Sequence, residues 1–171
     1  MVVVVMGVSG SGKSSVGRAL AEALGWPFFD GDDFHPPENV AKMAAGTPLT
    51  DADRWPWLDA LAAKIGGVLA DGGHAVLACS ALRAVYRDRI AAGGRRPGDV
   101  RFVHLKGDLA TIAARLATRQ HRYMPATLLD SQFATLEEPT DAIVVDVRDT
   151  IAEQIARIRA ALVAGTTKDP A

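Results

Sequence analysis

The sequence predicts an α/β domain built on a parallel β-sheet, and two observations lead to this fold class. Strand-like and helix-like segments alternate along the 171 residues, which is the pattern of a parallel sheet covered by helices. The first segment, Val2–Val5, is a continuous β-branched run of the kind found in strands that are buried on both faces. The length suits one domain with a substantial core.

Hydrophobic periodicity predicts the remaining elements in order. Apolar side chains from Val16 to Leu24 line one side of a helix predicted over Gly12 to Leu24. Further strands are predicted at Phe28–Asp30, Ala75–Cys79, Arg101–Leu105 and Ala142–Val147. Further helices are predicted around residues 58–69, 109–116 and 151–162.

Two segments interrupt this alternation and are predicted to be irregular. Gly31 to Asp53 is polar and contains Pro36, Pro37 and Pro48, and Gln120 to Thr140 shows no clear periodicity. Loops of this length in a small domain are usually functional. Residues 165–171 are expected to form a disordered tail.

Composition excludes several classes of partner. The formal net charge of −1 lacks the basic excess of a nucleic-acid-binding surface. The apolar run Met1–Met6 has no basic flank and is too short to span a membrane, so no membrane partner is expected. The single cysteine, Cys79, cannot form an internal disulfide, which is consistent with a cytoplasmic location.

A phosphate-binding motif lies between the first strand and the first helix. Residues 7–14 read GVSGSGKS and match the P-loop pattern GxxxxGK[ST] in the expected strand–loop–helix context. Backbone N–H groups and the helix N-terminus are expected to bind phosphate oxygens, Lys13 to reach the β- and γ-phosphates, and Ser14 to bind Mg²⁺. The predicted nucleotide-binding residues here are Gly7, Val8, Ser9, Gly10, Ser11, Gly12, Lys13, Ser14 and Ser15. ATP and Mg²⁺ are the expected cofactors.

An acidic turn (residues 30–33) follows the second strand, at the sheet edge where α/β proteins place ligands. The carboxylates of Asp30, Asp32 and Asp33 would repel one another without a metal or cationic partner. One of them can hold Mg²⁺ and another can orient an attacking hydroxyl, whereas the alternative is a solvated turn or helix cap. A P-loop alone does not distinguish kinases from GTPases or motor ATPases. The short chain leaves little room for switch regions, which favours a small-molecule kinase.

Arginines recur near both irregular segments. Phosphoryl transfer needs cations beside the transferring groups, and arginine also binds carboxylates with two hydrogen bonds. Each of them alone is equally consistent with a surface residue. The candidates are Arg54, Arg83, Arg87, Arg115, Arg119 and Arg122.

Several other residues have a structural explanation. Cys79 has no partner histidine and is expected in the core or a pocket wall, and His74 and His104 beside apolar strands are expected to be structural. Trp55 and Trp57 are explained equally well by packing and by stacking on a ligand.

Longer segments resemble the gluconate kinases (gluconokinases) of the nucleoside-monophosphate-kinase-like fold. Nearly the whole chain is covered in the expected order, and DGDDFHP, CSALR and SQFATLEEP are much more specific than the P-loop. The matching segments are GVSGSGKS at 7–14, FFDGDDFHPPENVAKMAAGTPLTDADRWPWL at 28–58, CSALRAVYRDRI at 79–90, FVHLKGD at 102–108, YMPATLLDSQFATLEEP at 123–139 and VVDV at 144–147.

The resemblance implies a fold, an activity and an assembly. The fold is a three-layer P-loop NTPase domain at 1–164, with a five-stranded parallel sheet in the order 2-3-1-4-5, an insert at about 31–57 and a lid at about 120–138. The activity is transfer of the ATP γ-phosphate to the 6-hydroxyl of D-gluconate. The implied assembly is a homodimer.

The resemblance also implies residue roles. Asp30 lies near Mg²⁺ with Ser14, and Asp32 is the base or orienting group, acting with Lys13 and Arg119 in catalysis. Arg115 packs on adenine, and Arg119 reaches the phosphates from the lid. The residues expected to contact the sugar acid are Asp32, His35, Lys42, Arg54, Arg83 and Gln132. Relatives typically carry Gly-His where this chain has His121-Arg122, so the roles of these two residues stay open.

Two alternatives remain. A shikimate or nucleotide kinase would share the P-loop, but FHPPENVAKM and CSALR resemble gluconate kinases specifically. An ATP-binding regulatory protein would not need the combination of Lys13, Ser14, Asp32 and Arg119.

Overall fold

The computed structural model describes residues 1–117 and 126–166. These residues form five strands and seven α-helices, with a short 3₁₀ turn at Gly31–Phe34. The strands are β1 (Val2–Met6), β2 (Phe28–Asp30), β3 (Ala75–Ala78), β4 (Val100–Lys106) and β5 (Ile143–Asp146). The helices are α1 (Lys13–Leu24), α2 (Pro37–Ala44), α3 (Asp51–Ala70), α4 (Ala84–Ala91), α5 (Leu109–Ala117), α6 (Ala126–Thr135) and α7 (Ile151–Thr166).

The predicted sheet is confirmed. All four strand pairings are parallel, and the order is β2-β3-β1-β4-β5. The central strand β1 pairs with β3 and β4, so that Val5 lies opposite both Ala78 and Val103. Because helices cover both faces of the sheet, β1 is buried throughout, as its uninterrupted apolar sequence predicts.

Each face of the sheet carries its own part of the core. Val3 and Val5 pack toward α1, α5, α6 and α7, whereas Val2 and Val4 pack toward α3 and α4. Successive strand residues point to opposite faces, so one short strand contributes to both layers. The result is the three-layer arrangement expected from the sequence.

Two helices lie in segments predicted to be irregular, and that part of the prediction is wrong. Helix α2 begins at Pro37, a residue suited to the first helical position because its missing N–H would have no intrahelical partner there. Helix α6 lies within the second segment and buries Leu129. The short helix α4 was not among the predicted helices. Helix α7 extends through Thr166, past the predicted start of the tail, and residues 167–171 lie outside the described part.

Helix α3 fixes the insert to the sheet. It begins with a capping box in which Thr50 and Asp53 exchange hydrogen bonds between side chain and backbone. Its inward face buries Leu58, Leu61 and Ile65 against the sheet. Among the described residues, no helix combines the length and apolar character needed to cross a membrane.

Candidate active site

The candidate site lies at the carboxyl ends of the parallel strands, where the segments following β1, β2 and β3 meet. This is the edge at which open α/β sheets bind ligands. The P-loop follows β1, the acidic turn follows β2, and the CSALR segment follows β3.

The P-loop has the backbone needed to receive phosphate. Gly10 and Gly12 have φ of 84° and 99°, a region that favours glycine. Gly12 is the N-cap of α1 and no side chain caps the helix there, so its first N–H groups are left for an anion. Lys13 Nζ donates to the Val8 carbonyl at 3.0 Å, which holds the ammonium against the loop.

Lys13 sits in a charged and partly dry environment. Burial lowers the pKa of Lys13, while the nearby carboxylates of Asp32 and Asp30 raise it. The predicted catalytic lysine and the predicted orienting aspartate are therefore close enough to interact electrostatically.

The predicted Mg²⁺ ligands are brought together. Ser14 Oγ donates to Asp30 Oδ2 at 2.8 Å, placing a hydroxyl and a carboxylate beside the phosphate loop. Such hard oxygen ligands are those that Mg²⁺ takes from proteins at phosphate sites. Asp30 Oδ1 also accepts from the Asp32 N–H at 3.3 Å, so Asp30 caps the acidic turn as well. The metal and cap explanations are therefore compatible.

The acidic turn is held from two sides. Trp57 Nε1 donates to the Gly31 carbonyl at 2.7 Å in a buried hydrogen bond. A Cβ at Gly31 would lie 2.6 Å from the Ala78 carbonyl oxygen, so only glycine fits this close to β3. Asp32 stays exposed, and its charge acts on the pKa of both Lys13 and His35.

His35, the first residue predicted to contact the sugar acid, packs on the indole of Trp57 with ring centroids 4.2 Å apart and planes inclined by 15°. Burial lowers the pKa of His35, the Asp32 carboxylate raises it, and the Arg54 guanidinium lowers it further. His35 thus lies between the acidic turn and Arg54. The choice left open for Trp57 is settled in favour of packing, because the indole is 3% exposed.

Two predicted cations of the insert have protein partners. Lys42 Nζ donates to Asp53 Oδ1 at 2.6 Å, and this hydrogen bond is the main cause that lowers the pKa of Asp53 to about 2. Arg54 donates to the Leu49 carbonyl, and its guanidinium lies 5.7 Å from the centroid of the Tyr86 ring.

Arg83, which lies in a different segment of the chain from Arg54, contacts the same aromatic ring. Its guanidinium lies 5.4 Å from the Tyr86 centroid, forms an ion pair with Asp51 and lies 3.6 Å from Glu137. The Tyr86 hydroxyl donates to Asp51 Oδ1 at 2.5 Å. Arg54 and Arg83, predicted from segments far apart, therefore converge on Tyr86.

Helix α6 brings Gln132 to the P-loop, where the Ser9 N–H donates to Gln132 Oε1 at 2.6 Å. A contact between Gln132 and the sugar acid stays a prediction. Arg115 donates to the Val147 carbonyl just after β5, which places it at the loop beyond that strand. Arg119, His121 and Arg122 lie outside the described residues.

Other candidates have structural roles. Arg87 is buried and donates to the Ala81 and Leu82 carbonyls at 3.1 Å each, so it shapes the CSALR segment from within. Burial raises the pKa of the Cys79 thiol to about 12, which excludes a thiolate nucleophile at neutral pH. His104 is 2% exposed, as expected for a structural histidine.

Sequence reasoning missed the residues that orient these groups. Asp51 and Glu137 hold Arg83, and Asn39 lies against His35. The Thr50–Asp53 capping box is visible in the sequence and would have placed Asp51 and Arg54 in the first turn of a helix. No comparable local signal marks Asn39 or Glu137.

The sequence of this chain is similar to those of known proteins. A family model described as an AAA domain matches residues 2–139. A gluconokinase from Gluconobacter oxydans is 49% identical over 138 residues, covering 81% of this chain and 76% of that protein. This chain belongs to the gluconokinase family.

Two further members of the family extend the similarity. A probable gluconokinase from Xenopus tropicalis is 45% identical over 173 residues, covering 92% of this chain and 91% of its own. A gluconokinase from Sinorhizobium meliloti 1021 has 48% sequence identity to this chain. Its crystal structure superposes with a TM-score of 0.83, covering 95% of this chain and 91% of that chain. The family similarity therefore includes the described site segments.

Proposed function

We propose that this protein is an ATP-dependent gluconokinase that phosphorylates the 6-hydroxyl of D-gluconate to give 6-phosphogluconate and ADP. The observation that carries the proposal is a continuous run of interacting groups at the sheet edge. Trp57 donates to Gly31 of the acidic turn and stacks on His35. The Asp32 carboxylate raises the pKa of both Lys13 and His35, and the Arg54 guanidinium lowers the pKa of His35. This run joins the phosphate loop to the guanidinium groups of Arg54 and Arg83 beside Tyr86, which are suited to bind an acid. Membership of the gluconokinase family supports the same substrate.

The residues at the phosphate end of this run have separate roles in the proposed phosphoryl transfer. Lys13 and the P-loop N–H groups hold the β- and γ-phosphates and stabilise charge that shifts onto the leaving ADP. Asp32 orients the sugar hydroxyl and accepts its proton as the new oxygen–phosphorus bond forms and the bond to ADP breaks. Ser14 and Asp30 would hold Mg²⁺, which neutralises phosphate charge when bound.

The residues at the other end of this run, which would bind the substrate carboxylate, explain the choice of gluconate. The guanidinium groups of Arg54 and Arg83 lie 5.7 Å and 5.4 Å from the centroid of the Tyr86 ring, and either can bind a carboxylate with two hydrogen bonds. Asp51 and Glu137 hold Arg83 in place, so its orientation does not depend on substrate. His35 and Lys42 provide further polar groups for the hydroxyls, and Gln132 would add another. A neutral sugar offers neither guanidinium a carboxylate, so it should bind this part of the site more weakly than gluconate does.

The test is an ADP-release assay with gluconate, glucose and shikimate as acceptors. Gluconate should be used efficiently and the other two poorly. Arg54→Ala and Arg83→Ala should each raise the KM for gluconate at least about tenfold, since truncating one partner of a charged pair costs roughly 2 kcal/mol or more. The KM for ATP should hardly change.

Arg89→Ala is the matched control, because Arg89 pairs with Asp59 on the exposed side of α3 and α4. This variant should retain both KM values. Comparable efficiency with glucose and gluconate would refute the carboxylate pocket. An ATPase rate that no acceptor increases would favour an ATP-binding regulatory protein.

The lid, dimer and location belong to the same proposal. A lid at about 120–138, including Arg119, would close over the phosphates, and the Gln132 contact with Ser9 supports a link between α6 and the P-loop. Hydrogen exchange in α6 should slow only when ATP and gluconate are both present. A homodimer in the cytoplasm is proposed from the family, and light scattering of the purified protein tests the dimer.

A further inference from the structure

A buried asparagine lies behind the sugar-acid pocket and contacts its histidine. Asn39 on α2 is 3% exposed. Its Nδ2 atom lies 2.8 Å from the Asp53 carbonyl oxygen and 3.4 Å from His35 Nδ1. These two contacts connect α2, the start of α3 and the segment after the acidic turn.

The chemistry of the two contacts determines where the imidazole carries its proton. The Asp53 carbonyl can only accept, so the amide nitrogen of Asn39, and not its oxygen, must face it. The same nitrogen lies 3.4 Å from His35 Nδ1 and has a second hydrogen to donate, so Nδ1 is the acceptor in this hydrogen bond. A neutral imidazole that accepts at Nδ1 carries its proton on Nε2.

The surroundings of His35 keep the ring neutral and fixed. Trp57 of α3 covers one face of the ring. Burial lowers the pKa of His35, Asp32 raises it, and Arg54 lowers it, so the neutral form is the one present at neutral pH. The nearby Lys42 of α2 is paired with Asp53. His35 Nε2 forms no hydrogen bond with the residues that the structure describes.

We propose that Asn39 is a positioning residue that holds His35 as the Nε2–H tautomer, so that the ring offers an N–H donor to a hydroxyl oxygen of the sugar acid. This inference rests on the proposed function for the identity of the acceptor, but not for the tautomer itself. Aspartate at position 39 would be similar in size and could only accept, which would place the proton on Nδ1.

The first experiment reads the tautomer directly, without substrate. Imidazole ¹⁵N resonances of the full-length protein are recorded at pH 7.5, and His35→Gln identifies the His35 signals. The expected spectrum shows an unprotonated Nδ1 and a protonated Nε2 for His35. A protonated Nδ1, or a ring with both nitrogens protonated, would overturn the proposal. This measurement remains decisive if variants at position 39 do not fold.

The second experiment asks whether Asn39 acts through His35. Asn39→Asp should move the proton to Nδ1, shift the titration of His35 to higher pH, and raise the KM for gluconate about 2- to 12-fold, the factor expected for one lost hydrogen bond. The KM for ATP should stay within the error of the wild-type value. In a His35→Gln background, Asn39→Asp should raise the KM for gluconate by a clearly smaller factor, because only the hydrogen bond to the Asp53 carbonyl is then lost.

The outcomes separate this inference from the proposed function. An equal factor for Asn39→Asp with and without His35 would show a structural role alone and overturn the inference. A wild-type protein that does not phosphorylate gluconate would refute the proposed function, whereas the tautomer is read independently of any substrate.

Discussion

Trp57→Phe tests how the acidic turn is held. The substitution keeps an aromatic ring that can stack on His35 but removes the indole N–H that donates to the Gly31 carbonyl at 2.7 Å. The carbonyl belongs to the residue between Asp30 and Asp32, so losing its partner affects both stability and the position of the catalytic carboxylate.

The expected magnitude follows from that one hydrogen bond. A buried carbonyl left without a donor costs about 1–3 kcal/mol in the free energy of unfolding. For a domain of this size each kcal/mol lowers Tm by about 2–4 °C, so the fall should be roughly 2–12 °C. Because small displacements of a catalytic group reduce turnover by up to about 10²-fold, kcat should fall at least about tenfold. The KM for ATP should change less than twofold, since the P-loop itself is untouched.

Trp55→Phe provides a matched control two residues away on the same helix. Trp55 meets the Tyr86 ring edge-on at 5.9 Å and lies beside Arg89, and its indole N–H makes no hydrogen bond within the described residues. This control should cost about 1 kcal/mol or less and leave kcat near normal. Urea unfolding, thermal melts and steady-state kinetics are measured on both variants.

The stability and kcat of the two variants together show whether the hydrogen bond from Trp57 to Gly31 positions Asp32. Equal losses of stability would mean that ring volume, and not the hydrogen bond to Gly31, is responsible. A destabilised Trp57→Phe protein with unchanged kcat would show that the bond stabilises the turn without positioning Asp32.

Three further predictions concern single residues of the site. Lys13→Ala should reduce turnover on the order of 10²-fold with a native circular dichroism spectrum, because a half-buried loop lysine contributes little to packing but positions phosphate; near-normal turnover would contradict the P-loop assignment. Asp32→Asn should depress kcat far more than ATP affinity, since the acceptor hydroxyl loses its orienting carboxylate; equal losses would move the role to Asp30 or Asp33. Cys79, with its pKa raised to about 12, stays a thiol below that pH, so the folded protein should resist iodoacetamide at pH 8 and react only after unfolding in urea.

Local signals in the sequence were enough for the five strands and the phosphate loop, whereas the strand order was implied by the resemblance to gluconate kinases. The β-branched run of β1 suits a strand that is buried on both faces of a sheet. The glycines of GxxxxGK[ST] after a strand allow the positive φ angles that the phosphate loop requires. The same reasoning failed for α2 and α6. Prolines and polar residues interrupt the apolar pattern there, because most of the described side chains of these helices are at least partly exposed to solvent. Hydrophobic periodicity is weak wherever a helix buries only a few residues.

The sequence by itself determined the fold class, the phosphate site and, through its motif segments, the family resemblance. Only the tertiary structure decided which side chains orient the site. Asp51 and Arg83 are 32 positions apart, and Ser9 and Gln132 are 123 apart, so no local pattern relates them. The physical reason is that a hydrogen bond depends on distance and direction in space, and the packing of α3, α4 and α6 sets both.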